Sequence, residues 1–334
     1  MTTSISCLSF VQKILTRYGM STYVAFGNLG NLLAIAVFCQ SEQRKNACSL
    51  YLLSMAICNL LCLDVALIPI IYSLDHIDIT TASLIGCQMQ FYFRHAFFQM
   101  MRTYKTLACI DRYAICSTNV RSRSFSQRKV AIYIIIGCAL FWSLAVIFFA
   151  RTRTIQNGSC NIFNEIYSMI YTIYYMIFTG ILPPLLMIIC SILVMKTLRN
   201  LRSRVQPKRE DREKNRSINI IRKRDRDLMK MIFTEVMFYV VTTIPYSIYL
   251  IYKVITDSLI KSQQRKQIET FINYMVQSFI LYFNTAVPFY IYIATSPTFR
   301  RELKRVLIKF YAFITRKQIR DEQDTITQTI TARA

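Results

Sequence analysis

The chain has 334 residues, 54% of them hydrophobic with mean hydropathy +0.32, yet it carries a formal charge of +23 from 41 Lys and Arg against 18 Asp and Glu. A single soluble domain would struggle to hold both, and the basic residues fall between long apolar runs rather than on an amphipathic face, which argues against nucleic acid as a partner. Two histidines, seven glycines and no Cys or His pair at ligand spacing leave no metal centre, phosphate-cradling loop or nucleophile elbow, so no metal, no cofactor and no enzyme activity is expected.

Taken in chain order, residues 1–17 read as an extracellular amino-terminal segment without a cleavable leader, and the first apolar run then acts as its own insertion signal. A bilayer core of about 30 Å needs about 20 apolar helical residues. Uncharged stretches of that length occupy residues 18–41, 131–150, 166–195 and 270–299. Residues 46–74 and 231–252 are each broken by one acid, Asp64 and Glu235. The weakest candidate, 83–116, contains Arg94, His95, Arg102, Lys105 and Asp111 and fails on hydropathy alone. The predicted spans are about 18–40, 47–73, 83–116, 130–150, 166–196, 227–253 and 268–294, forming a unit over 18–299. The predicted fold class is therefore an all-α membrane protein, a seven-transmembrane helix bundle.

After the last span, residues 298–313 alternate basic and apolar side chains as a short amphipathic helix, a helix 8, lying on the inner leaflet of the lipid bilayer should. No cysteine follows it, so no palmitoyl anchor is expected. Residues 314–334 form a predicted cytosolic tail with Thr325, Thr327, Thr329 and Thr331 near acids, candidate phosphorylation sites.

With the amino terminus outside, the cytosolic segments hold 28 Lys and Arg and the outer segments 8, which decides the orientation and makes this a multi-pass plasma-membrane protein with its carboxyl terminus in the cytosol. The loop between the fifth and sixth spans reads as charged extensions of both helices with a flexible middle. The absence of an internal repeat counts against an inverted-repeat transporter.

Asp111, Arg112 and Tyr113 form an Asp-Arg-Tyr triplet at the cytosolic end of the third span, and Cys87 lies 25 residues before the arginine. Gly30-Asn31 in the first span, Trp142 in the fourth, Pro183-Pro184 in the fifth, Pro245 in the sixth and NTAVPFYIYIATSPTFRREL at the end of the seventh complete a pattern. Over roughly residues 20–305 this pattern resembles the rhodopsin-like (class A) G-protein-coupled receptors, and within them the invertebrate neuropeptide receptors of the FMRFamide type or orphan chemoreceptors. The resemblance implies a receptor that binds an extracellular ligand and activates a heterotrimeric G protein through movement of helix 6.

It also implies a disulfide from Cys87 to Cys160. The topology favours the same pair, because of eleven cysteines only Cys7, Cys87 and Cys160 face the oxidising side. Asn157-Gly158-Ser159 is a sequon on that side, which permits glycosylation of Asn157. Tyr292 falls at the tyrosine of the family's Asn-Pro-x-x-Tyr motif, with Pro288 either at its asparagine position or displaced from the proline by one residue. The chain departs from the family at Asn59, which replaces an aspartate, at Met101, and at Thr243, which stands where tryptophan is usual. Asn59 and Met101 are poor ligands for a hard cation, so sodium modulation is not expected.

Charges inside a membrane are costly and mark function. On the family scaffold Arg112 is expected to face Asp225 at the start of helix six, although Asp225 in a mixed charge run also reads as a solvated residue. Lys105 and Glu235 are expected to form a buried bridge across positions that are aliphatic in most relatives. The alternative is that each is satisfied separately by water, Asn59 or Asn284. Arg94, with His95 and Gln99, occupies the outer third of the third span and suits a carboxylate, a sulfate or an amidated peptide end. Asp64, Asp75 and Asp78 would answer a basic ligand residue or pair with Arg94. A peptide is the first expectation for the ligand and a small chemosensory compound the second. A rival from another class is an anion channel or transporter using the third-span cations.

Overall fold

The computed structural model describes residues 2–116, 124–156, 158–204, 212–256 and 259–315, with side chains described within 7–115, 124–156, 158–197, 227–256 and 259–315. Thr2–Ile14, a π-helical turn at Leu15–Met20 and Ser21–Phe38 run end to end as α1. The first helix thus reaches well before the predicted span, and Lys13 and Arg17 ride on helical turns instead of a loop. The second helix, α2, spans Ala47–Tyr72, and its start is fixed by Asn46, whose side chain accepts from the Cys48 amide. Next come α3 at Leu84–Cys116 and α4 at Arg128–Arg151. Glu165–Tyr175, a π turn at Met176–Ile181 and Leu182–Arg204 form α5, and Arg212–Thr256 forms α6. Gln263–Asn273, a π turn at Tyr274–Ile280, Leu281–Ala286 and Pro288–Thr295 form α7, followed by α8 at Pro297–Thr315.

Among the described residues five helices (α1, α2, α4, α5 and α6) are long and apolar enough to cross a bilayer, and α7 makes a sixth as a pair bent by 45°. The seventh is α3, which its charges exclude from that test. Its placement explains the exception: α3 packs against α2, α4, α5 and α6, so its charged side chains meet protein rather than lipid. The Trp142 indole donates to Thr103 Oγ1 at 2.8 Å and Tyr104 to the Ile135 carbonyl at 3.0 Å, fastening α4 along it.

Pro288 lacks an amide hydrogen and begins the last segment of α7, which places the bend there. One turn earlier the Thr285 carbonyl accepts from Asn31 of α1 at 3.0 Å. The two helices touch closely because α1 is bare at Gly27 and Gly30. A Cβ at Gly27 would meet Leu63 at 2.6 Å and Ala286 at 3.0 Å, and one at Gly30 would meet Phe289 at 3.1 Å. Beyond the bend, Phe299 at the start of α8 packs its ring against Phe38 and Tyr292.

At the opposite end, Thr154–Gln156 (β1) and Ser159–Asn161 (β2) form an antiparallel hairpin that turns at Gly158, whose φ of +68° is a left-handed conformation suited to glycine. Cys160 of β2 is joined to Cys87 at the start of α3, with Cα atoms 5.8 Å apart. The link closes a separation of 73 residues, which the chain-entropy view equates with about 4 kcal/mol of stabilisation. It also pins the hairpin over the mouth of the bundle.

Candidate functional site

Arg94, Arg102, Lys105 and Arg112 recur on α3 at intervals that keep them on one face. From the first to the last they descend about 27 Å of helix at 1.5 Å per residue, which is most of a membrane's depth. Each rests in a different environment, and the four settings together make up the candidate site.

The uppermost setting is a cavity of about 420 Å³ at the disulfide end, enclosed by α3, α5, α6, α7 and the hairpin. Its walls carry Arg94, Arg153 and Lys253, His95, and five tyrosines, Tyr171, Tyr175, Tyr246, Tyr249 and Tyr282, with no Asp or Glu among them. Arg153 follows α4, outside the spans, and its guanidinium sits 3.9 Å from the centre of the Phe91 ring. Arg94 lies over the same ring at 6.0 Å, with the Tyr282 hydroxyl beside it. Burial pushes Arg153 down to about 10, opposed by the Tyr171 hydroxyl and reinforced by the Arg94 charge, so it remains a cation at neutral pH. A smaller chamber of about 170 Å³ adjoins this pair and is lined in part by Asp78.

Of the three outer aspartates none pairs with Arg94 among the described contacts. Asp75 bridges to Arg17, Asp64 accepts from Asn28, and Asp78 caps the turn at Ile79–Ala82 by accepting from the Thr80 amide. Gln99 also departs from expectation, since it does not line the cavity. One turn deeper than His95, it donates to the Tyr174 hydroxyl at 2.9 Å and to Thr179 at 3.2 Å, facing α5.

Beneath the cavity floor lies Arg102, 1% exposed. The π turn of α5 brings Thr179 toward it, and two nitrogens of the guanidinium reach Thr179 Oγ1 at 3.3 Å and the Tyr175 hydroxyl at 3.4 Å. The sequence displays Arg102 as an intramembrane charge but supplies no partner for it.

One turn further down, Lys105 Nζ lies 2.9 Å from Glu235 Oε1 on α6, both side chains 2% exposed. The other carboxylate oxygen accepts from Tyr292 of α7 at 2.6 Å. A single acid therefore joins three helices. Tyr292 was legible as a motif residue, yet its bond to Glu235 was not. Asn284 accepts from Thr242 at 2.7 Å, and the buried Asn59 amide has no hydrogen-bond partner among the described residues. Among the described residues no group of three or more His, Cys, Asp or Glu is placed to hold a metal ion.

At the far end Arg112 donates to Asp111 at 2.6 Å and to Asn46 at 2.9 Å, while Ser126 donates to Asp111 at 2.6 Å. Tyr113 is half-buried beside them. Asp225 lies on α6, but its side chain is outside the described ones. A neighbouring acid that sequence reasoning missed, Asp227, is buried and accepts from Thr298 of α8 at 2.6 Å. Pro245 lies within α6 in its outer half. Asn157 and the tail residues Thr325, Thr327, Thr329 and Thr331 lie outside the described residues.

A family model described as 7 transmembrane receptor (rhodopsin family) matches residues 30–292. The C-C chemokine receptor type 1 of Homo sapiens is 23% identical over 295 residues, covering 86% of this chain and 77% of the relative. The protein of the same name from Macaca fascicularis is 27% identical over 188 residues, 53% of this chain and 52% of the relative.

Proposed function

We propose, from the premise that this chain belongs to the rhodopsin family of seven-transmembrane receptors, that its signal is an extracellular peptide bearing an acidic group, taken into the cavity around Arg94 and Arg153. Membership makes the protein a multi-pass plasma-membrane receptor that answers an extracellular ligand through a heterotrimeric G protein; it is not an enzyme. The proposed orientation puts the amino terminus and the disulfide outside. The excess of basic residues in the opposite segments and the oxidising conditions a disulfide needs both support it.

The observation that carries the ligand class is the charge of the cavity wall, where three cations and five phenols meet without a carboxylate. A guanidinium gives a carboxylate or sulfate two parallel charge-assisted bonds, and two guanidiniums line this cavity beside one ring. A positively charged amine ligand would find no partner there. A peptide is favoured because the relatives are named as chemokine receptors. A small acidic chemosensory compound is the second reading, supported by a volume at the lower end of the range that small-molecule sites occupy, about 300–1,000 Å³.

Activation follows from the joint that Glu235 makes. For α6 to swing outward, Glu235 must leave Lys105 and Tyr292 together, so the closed arrangement resists until ligand binding shifts the population. Arg112 would then lose its proposed tie to Asp225 and face the G protein. A receptor kinase and arrestin acting at the tail threonines complete the proposal. The Lys105–Glu235 pair also closes the cationic stripe of α3 midway, which supports a receptor over an anion-conducting path.

A library of peptides with free acidic or amidated ends, read through a promiscuous G protein in transfected cells, tests the ligand class. Acidic peptides are expected to dominate the hits. Arg94→Gln and Arg153→Gln should each shift the potency of such a hit about tenfold or more at equal surface expression, since a hydrogen bond to a charged group is worth about 1.5–3 kcal/mol. Neutral hits whose potency is untouched by both substitutions would refute it.

A further inference from the structure

Arg102 is the largest of the fully buried side chains among the described residues, and no described carboxylate pairs with it. Two acids within the spans are committed elsewhere, Asp64 to Asn28 and Glu235 to Lys105 and Tyr292. Its partners are all neutral and its bonds slack, with the Tyr239 hydroxyl beside it as a third oxygen. Thr179 lies at 3.3 Å, Tyr175 at 3.4 Å, and Nε has no partner. A charged donor beside an ionised acceptor sits at about 2.7–2.9 Å; Lys105 reaches 2.9 Å from Glu235 Oε1 as an ion pair, without hydrogen-bond alignment.

The surroundings are neutral throughout. Thr179 Oγ1 receives the Gln99 amide at 3.2 Å as well as Arg102, which fills both of its lone pairs. The acceptors around the buried cation carry no charge, and what such a cluster lacks is an anion.

We propose that Arg102, with Gln99, Tyr175 and Thr179, forms an inner anion site below the ligand cavity. The guanidinium supplies the charge. The two hydroxyls, freed of the guanidinium, turn to donate to the same anion along with the Gln99 amide. Entry is from above, because Phe98 and Tyr175 both line the cavity and both set their rings against the guanidinium, with centroids at 4.9 and 5.8 Å. Rotation of these two side chains joins the sites. The anion is either a halide from the external medium or an acidic group carried in by the ligand. Occupancy is felt on α6, since Tyr239 of that helix donates to the Thr179 carbonyl at 3.3 Å. The inference does not depend on the peptide reading of the upper cavity.

The test uses the full-length, ligand-free receptor in nanodiscs of neutral phospholipid, in sodium gluconate at constant ionic strength. Gluconate is replaced stepwise by chloride in one arm and by formate in the other, and thermal unfolding is recorded. A saturable rise in Tm of about 2–5 °C is expected in at least one arm, present in Arg94→Gln, which disables the upper cavity, and lost when Arg102→Gln is added to it. A rise with chloride alone identifies the source as a free halide. A rise with formate alone, or with both, admits the ligand's acidic group. No rise in either arm overturns the proposal. So does a rise that persists in the Arg94→Gln, Arg102→Gln double variant, or one that Arg94→Gln alone abolishes, since the latter places the anion in the upper cavity. Should the double variant not accumulate, Thr179→Val is read instead, with at least about a fivefold increase in the half-saturating concentration expected from the lost hydrogen bond; an unchanged concentration overturns the proposal.

Discussion

Lys105 and Arg102 stand three residues apart on α3, both almost wholly buried, and the protein treats them in opposite ways. Lys105 has a carboxylate at 2.9 Å, and that carboxylate is anchored again by Tyr292 at 2.6 Å. Arg102 has only neutral oxygens, Thr179 at 3.3 Å, Tyr175 at 3.4 Å and the Tyr239 hydroxyl beside them, and an unbonded Nε. A cation answered inside the fold becomes part of the frame, whereas a cation left unanswered waits for a charge from outside. The first kind holds helices together, and the second senses what enters between them.

Substitutions that remove one partner at a time enlarge this difference. Breaking a buried ion pair leaves an uncompensated charge and costs about 3–5 kcal/mol. Glu235→Leu, which strips Lys105 of its acid and Tyr292 of its acceptor, should therefore have the largest effect, raising ligand-independent signalling about tenfold relative to surface expression. Adding Lys105→Met should return basal output toward normal, because the stranded charge is gone. If basal output in the single variant equals that of the wild type, the pair does not restrain the closed state. Tyr292→Phe probes the same joint more gently. It removes one hydrogen bond to a carboxylate, worth about 1.5–3 kcal/mol, and should raise basal signalling less than Glu235→Leu does. A larger rise would shift the restraint from α3 to α7.

How far these arrangements can be read from sequence depends on what fixes each contact. Hydropathy alone finds α1, α2, α4, α5 and α6, because their faces meet lipid. It fails for α3, whose charges are tolerated only through its central position, and there the Asp-Arg-Tyr triplet and the spacing to Cys87 supply what composition cannot. The Lys105–Glu235 encounter is legible because two opposite charges inside apolar runs need each other. Arg153 is not, since it lies beyond α4 and is carried over the cavity only by the hairpin that the Cys87–Cys160 disulfide pins down. Gln99 was expected in the cavity but lies a turn too deep, where Tyr174 and the π turn of α5 claim it. A π turn shifts the register of every side chain after it and leaves no mark in hydropathy. The aspartate that ties α6 to α8, Asp227, follows Asp225 by two residues, and nothing in the composition of that basic run singles it out.

The claim that one cation is structurally satisfied and the other is not can be tested most directly by unfolding Lys105→Met and Arg102→Met receptors side by side in chloride-free buffer. Lys105→Met should lose several degrees of Tm, because Glu235 is left charged and stranded, while Arg102→Met should match or exceed the wild type, because it strips no acid of a partner and relieves an unpaired buried charge. An Arg102→Met receptor that unfolds at or below the temperature of Lys105→Met would contradict the account.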